Sequence, residues 1–163
     1  MSVSYRSEPS APDRVLSPRV DPASAPFASP ATCLVRIALP EQGDEHNARE
    51  LCERIRQLVK RQPGTFCFVH EGTGMVNARA GYANAFKELD RELSERTTEV
   101  VCVLPAPIPR MMVYTVATLA QRPWTIFRTR AEAELHLRAR GYPPLEETPL
   151  AEGALHLRVL RPV

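Results

Sequence analysis

His70 and Glu71 are the one histidine–carboxylate pair at a predicted strand end, and an imidazole beside a carboxylate is a natural general base. A base needs something to activate. No Ser or Cys stands in a strand–turn–helix elbow nearby, and His46, His136 and His156 are scattered without metal-ligand spacing. Glu71-Gly72-Thr73-Gly74 has the glycines and hydroxyl of a phosphate loop. It lacks the Walker and dinucleotide spacings, and no Lys follows closely, so it reads as a turn. Arg110 opens a predicted helix, where free N–H groups and a guanidinium together suit an anion. The competing role for Arg110 is to fold over its own helix end or pair with a loop Glu. His70, Thr73 and Arg110 are therefore the candidate anion-binding set, and the alternative function that they carry is a small-anion sensor or enzyme using Arg110 and His70 at the strand carboxyl ends. No residue is assigned a catalytic role, and no metal or cofactor is expected.

These residues gather because of the elements around them. Thr32–Leu39, Thr65–His70, Glu99–Leu104 and Trp124–Phe127 are short apolar runs that predict strands. Asp44 caps a predicted helix to about Gln62, with Ala48, Leu51, Cys52, Ile55, Leu58 and Val59 on one stripe. Its other face carries Glu45, Arg49, Glu50 and Arg54 in i, i+4 pairs, a solvated surface. Asn77 is placed to cap a second helix with Ala78, Tyr82, Phe86 and Leu89 inward. Pro105, Pro107 and Pro109 open a third, over about Ile108–Arg122. Thr129-Arg130-Ala131-Glu132 is a capping box that starts a fourth, with Gly141 ending it. The order β-α-β-α-β-α-β-α predicts an α/β domain: a small sheet of four or five mainly parallel strands, joined by right-handed crossovers, with four helices. Leu155, Leu157 and Val159 alternate with polar residues and suggest a late edge strand.

The chain has 163 residues, enough for one domain with a disulfide-free core. Residues 1–31 hold six of the sixteen prolines among Ser and Ala, and three basic residues balance three acidic ones. That composition predicts a disordered arm. The domain is expected over 32–141, with a tail over 142–163. A net charge of +2 gives no bulk attraction to nucleic acid or to a membrane, and neither is expected as a partner. Cys33, Cys52, Cys67 and Cys102 sit apart in apolar runs, as buried hydrophobes of a reducing compartment. With no apolar run of membrane-spanning length and no signal core at the N-terminus, a cytoplasmic location is expected.

The third helix is apolar nearly all round. With Met112, Val116, Leu119 and Ala120 toward the sheet, Met111, Tyr114, Thr115 and Thr118 turn away. Either the tail after Tyr142 covers that side, or it is a partner surface of adaptable Met and Tyr.

Residues 32–140, about two thirds of the chain, resemble the STAS or anti-sigma-factor-antagonist-like domains of bacteria in their divergent form. The likeness rests chiefly on Val100–Leu137: a strand ending at Pro105, then Ile108-Pro109-Arg110-Met111, an apolar helix, Arg122-Pro123, a strand ending Ile126-Phe127, and an Ala/Glu-rich helix. The resemblance implies a small α/β regulatory module that binds protein partners and performs no chemistry. It also implies a phosphorylatable Ser at the start of the second helix, in an Asp-Ser-x-Gly context. Here that stretch is Asn77-Ala78-Arg79-Ala80, so the hydroxyl is missing and no switch is expected there. The expected partner surface joins Asn77, Arg79 and Tyr82 to Arg110, Met111 and Tyr114, and a homodimer is one form that the partnership can take.

Overall fold

A computed structural model describes residues 32–122 and 124–160. The arm expected over 1–31 lies outside the described residues. The elements are β1 (Thr32–Ala38), β2 (Gln42–Gly43), α1 (Glu45–Arg61), β3 (Thr65–Glu71), β4 (Asn77–Ala78), α2 (Ala80–Glu92), β5 (Thr97–Val103), α3 (Pro107–Leu119), β6 (Trp124–Phe127), α4 (Arg130–Ala139) and β7 (Leu155–Val159).

The main sheet has five strands in the order β6-β5-β3-β1-β7, and β2 and β4 pair separately. All its neighbours are parallel except β1–β7. The late strand is thus a true edge, Leu157 opposite Val35, and it makes the segment after Tyr142 part of the domain. The other four strands step across the sheet in chain order. Right-handed crossovers then place the three connecting helices on one face.

Two cores follow from that asymmetry. On the helix face, Val35 and Ile37 of β1 and Phe66 and Phe68 of β3 pack under α1 and α2, with Val113 of α3 at the margin. On the opposite face, Leu34, Cys67, Val69, Val101 and Val103 meet Ala133 and Leu137 of α4, joined by Tyr142 and Leu145. Both faces are covered, which is why the central strands read as unbroken apolar runs. All four cysteines are buried and free.

Helix ends explain the boundaries. Asp44 accepts from the Asn47 N–H at 2.8 Å, as a cap should. The Thr129–Glu132 capping box forms in both directions. Gly141, at φ +84°, ends α4 in a Schellman motif, with Tyr142 N–H bonded to Leu137 O and Gly141 N–H to Arg138 O. α3 ends the same way on a non-glycine residue: Gln121 stands at φ +53°, with Arg122 N–H on Ala117 O and Gln121 N–H on Thr118 O. The helix therefore stops at Leu119, short of the expected Arg122.

The second helix differs more. Asn77 does not cap it. Asn77 and Ala78 form β4, in register with Gln42 and Gly43, and the helix starts at Ala80 with Arg79 in the cap position and no side-chain cap. The tertiary pairing with β2 takes the backbone that a local Asx cap would have used.

Candidate functional site

The carboxyl ends of the parallel strands are closed. Leu39 N–H bonds Glu71 O, Gly72 N–H bonds Val103 O and Leu104 N–H bonds Phe127 O, each at 2.9 Å. Pairing therefore continues past the strands and into the loops. A ligand crevice in an open sheet arises where strand order reverses, and the order β6-β5-β3-β1 has no reversal.

Neighbouring strand residues point to opposite faces, and this separates the expected dyad. The His70 ring lies on the helix face, edge-on to Phe86 with centroids 5.1 Å apart. Burial holds the imidazole neutral, with its pKa pushed down to about 4. Glu71 turns to the other face and pairs with Arg36. The histidine–carboxylate contacts that do form are long-range: His136 Nε2 with Glu99, and His156 Nε2 3.7 Å from Glu146. No sequence spacing announces them. The first ties α4 to β5, with Arg140 3.6 Å from the same carboxylate.

Thr73 is exposed in the turn after β3. Gly72 is there for space: a Cβ would lie 2.5 Å from Leu104 Cδ2 and 3.3 Å from Val103 O. Arg110 turns back over its own helix start and donates to Leu104 O at 3.1 Å and Pro105 O at 2.9 Å. Its donors thus serve carbonyls of the loop that leads into α3. His70 lines a cavity that neither Thr73 nor Arg110 reaches, so the three anion candidates are not brought into one pocket.

The partner-surface candidates divide. Asn77, Arg79, Met111 and Tyr114 are exposed, and Arg110 is half-buried. Tyr82 is a correction: it is 2% exposed, packed against Phe86 beneath α2, and cannot meet a partner. Its place on the inward stripe of α2 was already legible, and the stripe prevails. Ala78 is buried as well. α3 packs beside both β4 and α2, the two elements that flank Arg79.

The outer side of α3 carries four exposed apolar side chains. Ile108, Met111, Tyr114 and Leu119 are 56%, 66%, 65% and 78% exposed, which places all four side chains largely in solvent. Thr115 and Thr118 lie among them, and their hydroxyls donate to Met111 O and Tyr114 O, both at 2.9 Å. With the hydroxyls turned to the backbone, the strip gains no outward donors from either threonine. The inward side is Pro109, Val113, Val116 and Ala117. Leu119, expected inward, is exposed instead. The tail does not cover the strip, since Tyr142 and Leu145 pack on the opposite face of the sheet. Ile108, Leu119 and the exposed Val76 were missed. For Ile108 and Leu119 the signal was their angular position beside 111, 115 and 118 on a helical wheel.

Among the described residues no group of three or more His, Cys, Asp or Glu is placed to hold a metal ion, and no helix is long and apolar enough to cross a membrane. Comparison with protein-family models, with curated proteins and with solved structures finds no match to this chain.

Proposed function

We propose that this chain is a non-enzymatic protein-interaction module, a STAS-like bacterial regulator, whose docking face is the outer side of α3 with the β4–α2 junction at its border. The exposed apolar strip Ile108–Met111–Tyr114–Leu119 is the observation that carries the reading. Folding gains nothing from holding these four side chains in water, whereas Met and Tyr surrounded by polar residues are the usual centre of a protein interface. Asn77 and Arg79 supply a polar rim. The partner is another protein, and a second copy of the chain satisfies the same requirement. The start of α2 carries Asn77 and Ala78 in place of an acidic residue and a phosphorylatable hydroxyl, so docking on this reading is not gated there.

The test uses the full chain as bait in its native extract, beside a Met111→Ala, Tyr114→Ala double variant with an unchanged circular-dichroism spectrum. A protein retained at stoichiometric level by the first and lost by the second supports the reading. Equal retention by both, or a wild-type chain that retains nothing and stays monomeric at all concentrations, overturns it.

A further inference from the structure

We propose that the cavity beneath α2 is a binding site for a small uncharged molecule, of about four or five non-hydrogen atoms, that carries one polar group on an apolar body. The cavity lies between α2 and the sheet, with Val113 of α3 and Trp124 of β6 closing its sides, and measures about 40 Å³. One water needs about 10–15 Å³ measured this way, so the space takes about three water-sized centres, or a slightly longer bonded molecule.

Apolar side chains form most of the wall, among them Leu39, Phe68, Phe86 and Leu89. Set into it is Tyr82 Oη, without a hydrogen-bond partner within the protein, and beside it the Trp124 indole N–H lies against the Asp90 carboxylate, which also takes Arg122. Tyr82 is 2% exposed and the Asp90 side chain 9%. A buried phenol or indole N–H almost always has a partner. The Tyr82 hydroxyl on α2, able to donate and to accept, with the Trp124 indole on β6 beside it, is a recognition set for a carbonyl, amide or hydroxyl group.

The same walls exclude ions. Asp90 is the lone charge at the rim, and Arg122 already answers it, with Nε 3.1 Å from Oδ2. His70 contributes a neutral ring. An anion would meet the Asp90 carboxylate with no free cation opposite, and a cation would have to share that carboxylate with Arg122 inside an apolar wall. This inference stands apart from the docking role of α3, since none of the exposed strip lines the cavity.

Trp124 is the chain's only tryptophan, so its indole N–H gives one unmistakable NMR cross-peak at the cavity wall. The experiment titrates the full chain with acetamide, 2-propanol and acetate at pH 7, the last matching acetamide in shape but charged. A saturable shift of the Trp124 indole peak is expected with acetamide or 2-propanol, at millimolar half-saturation for so few atoms, and none with acetate. Ala83→Leu fills the space from the wall and should weaken binding at least tenfold. Should that variant not fold, Tyr82→Phe keeps the ring and removes only the hydroxyl, and a loss of threefold or more for acetamide is expected. Linear, unsaturable shifts with both neutral probes would mean that the cavity takes water alone, and would overturn the proposal. So would saturation by acetate, or neutral binding unchanged in every variant that folds.

Discussion

Arg36 of β1 and Glu71 of β3 form a two-pronged ion pair beneath the segment that follows α4, with Nε 2.8 Å from Oε1 and Nη2 2.9 Å from Oε2. Arg36 is 2% exposed, and its Nη2 also donates to Thr148 O, so the chain end closes over the pair. A buried charge stripped of its partner is far more costly than one never introduced. Glu71→Gln is therefore expected to destabilise the fold by about 3–5 kcal/mol. Replacing both residues with apolar ones, Arg36→Met with Glu71→Leu, should fall within about 1 kcal/mol of the native chain or exceed it. Urea unfolding of the three proteins measures both figures. A cost below about 1 kcal/mol for Glu71→Gln would mean that solvent reaches the pair.

His70 makes stability depend on pH in a defined window. Its imidazole titrates near 6.5 in the unfolded chain and about 4 in the folded one. Above pH 6.5 both states are neutral there, and the residue contributes no slope. Between pH 6.5 and 4 the unfolded state takes up a proton that the folded state refuses, so stability falls as pH falls. Below pH 4 both are protonated and the loss is complete, at about 3 kcal/mol. Asp90, which lines the same cavity, is shifted upward by burial and acts with the opposite sign. The measurement is therefore a difference: unfolding free energy against pH for the native chain minus that for His70→Gln. The difference should be flat above pH 6.5 and slope below it. A flat difference throughout would place the His70 ring in water.

Much of this architecture is legible in the residues themselves. Strand runs, the Asp44 cap, the Thr129 capping box and the Gly141 stop are local signals, and each specifies its element without help. The errors lie where a partner distant in sequence decides. Asn77 is a good cap by composition, but β2 recruits it into β4. Glu71 reads as the neighbour of His70 along the chain and becomes the partner of Arg36 across the sheet. Gln121 ends α3 in a left-handed conformation with no glycine to mark it. The α3 strip was visible as an excess of apolar residues. Whether its outer side would be covered depended on the side of the sheet that the segment after Tyr142 takes, and no local pattern encodes that.

Gly72 and Gly74 separate packing from phosphate binding. Both belong to the same turn, and a phosphate cradle would need both. Space is tight at one only: a Cβ at Gly72 meets Leu104 Cδ2 at 2.5 Å, while a Cβ at Gly74 meets nothing within 4 Å. Gly72→Ala should cost about 1–3 kcal/mol in thermal or urea unfolding. Gly74→Ala should lie within about 0.5 kcal/mol of the native chain. A large cost at Gly74 would reveal a backbone demand in the turn beyond Leu104.

The two sides of α3 should respond oppositely to substitution. Val113 is 7% exposed and belongs to the helix-face core, so Val113→Ala removes buried methyls and should cost about 1–3 kcal/mol. Met111 and Tyr114 are 66% and 65% exposed, so Met111→Glu and Tyr114→Ser should each change stability by no more than about 0.5 kcal/mol. Both should also lower any concentration-dependent association of the chain, since each puts a polar group in the middle of the strip. Thermal unfolding beside sedimentation or light scattering over a hundredfold range of concentration reads the two effects separately. If Met111→Glu destabilises as much as Val113→Ala does, the strip is covered within the folded chain. The docking face would then have to be sought elsewhere, beginning with the groove between α1 and β7, where Leu58, Leu155 and Leu157 lie between Glu53 and Arg61.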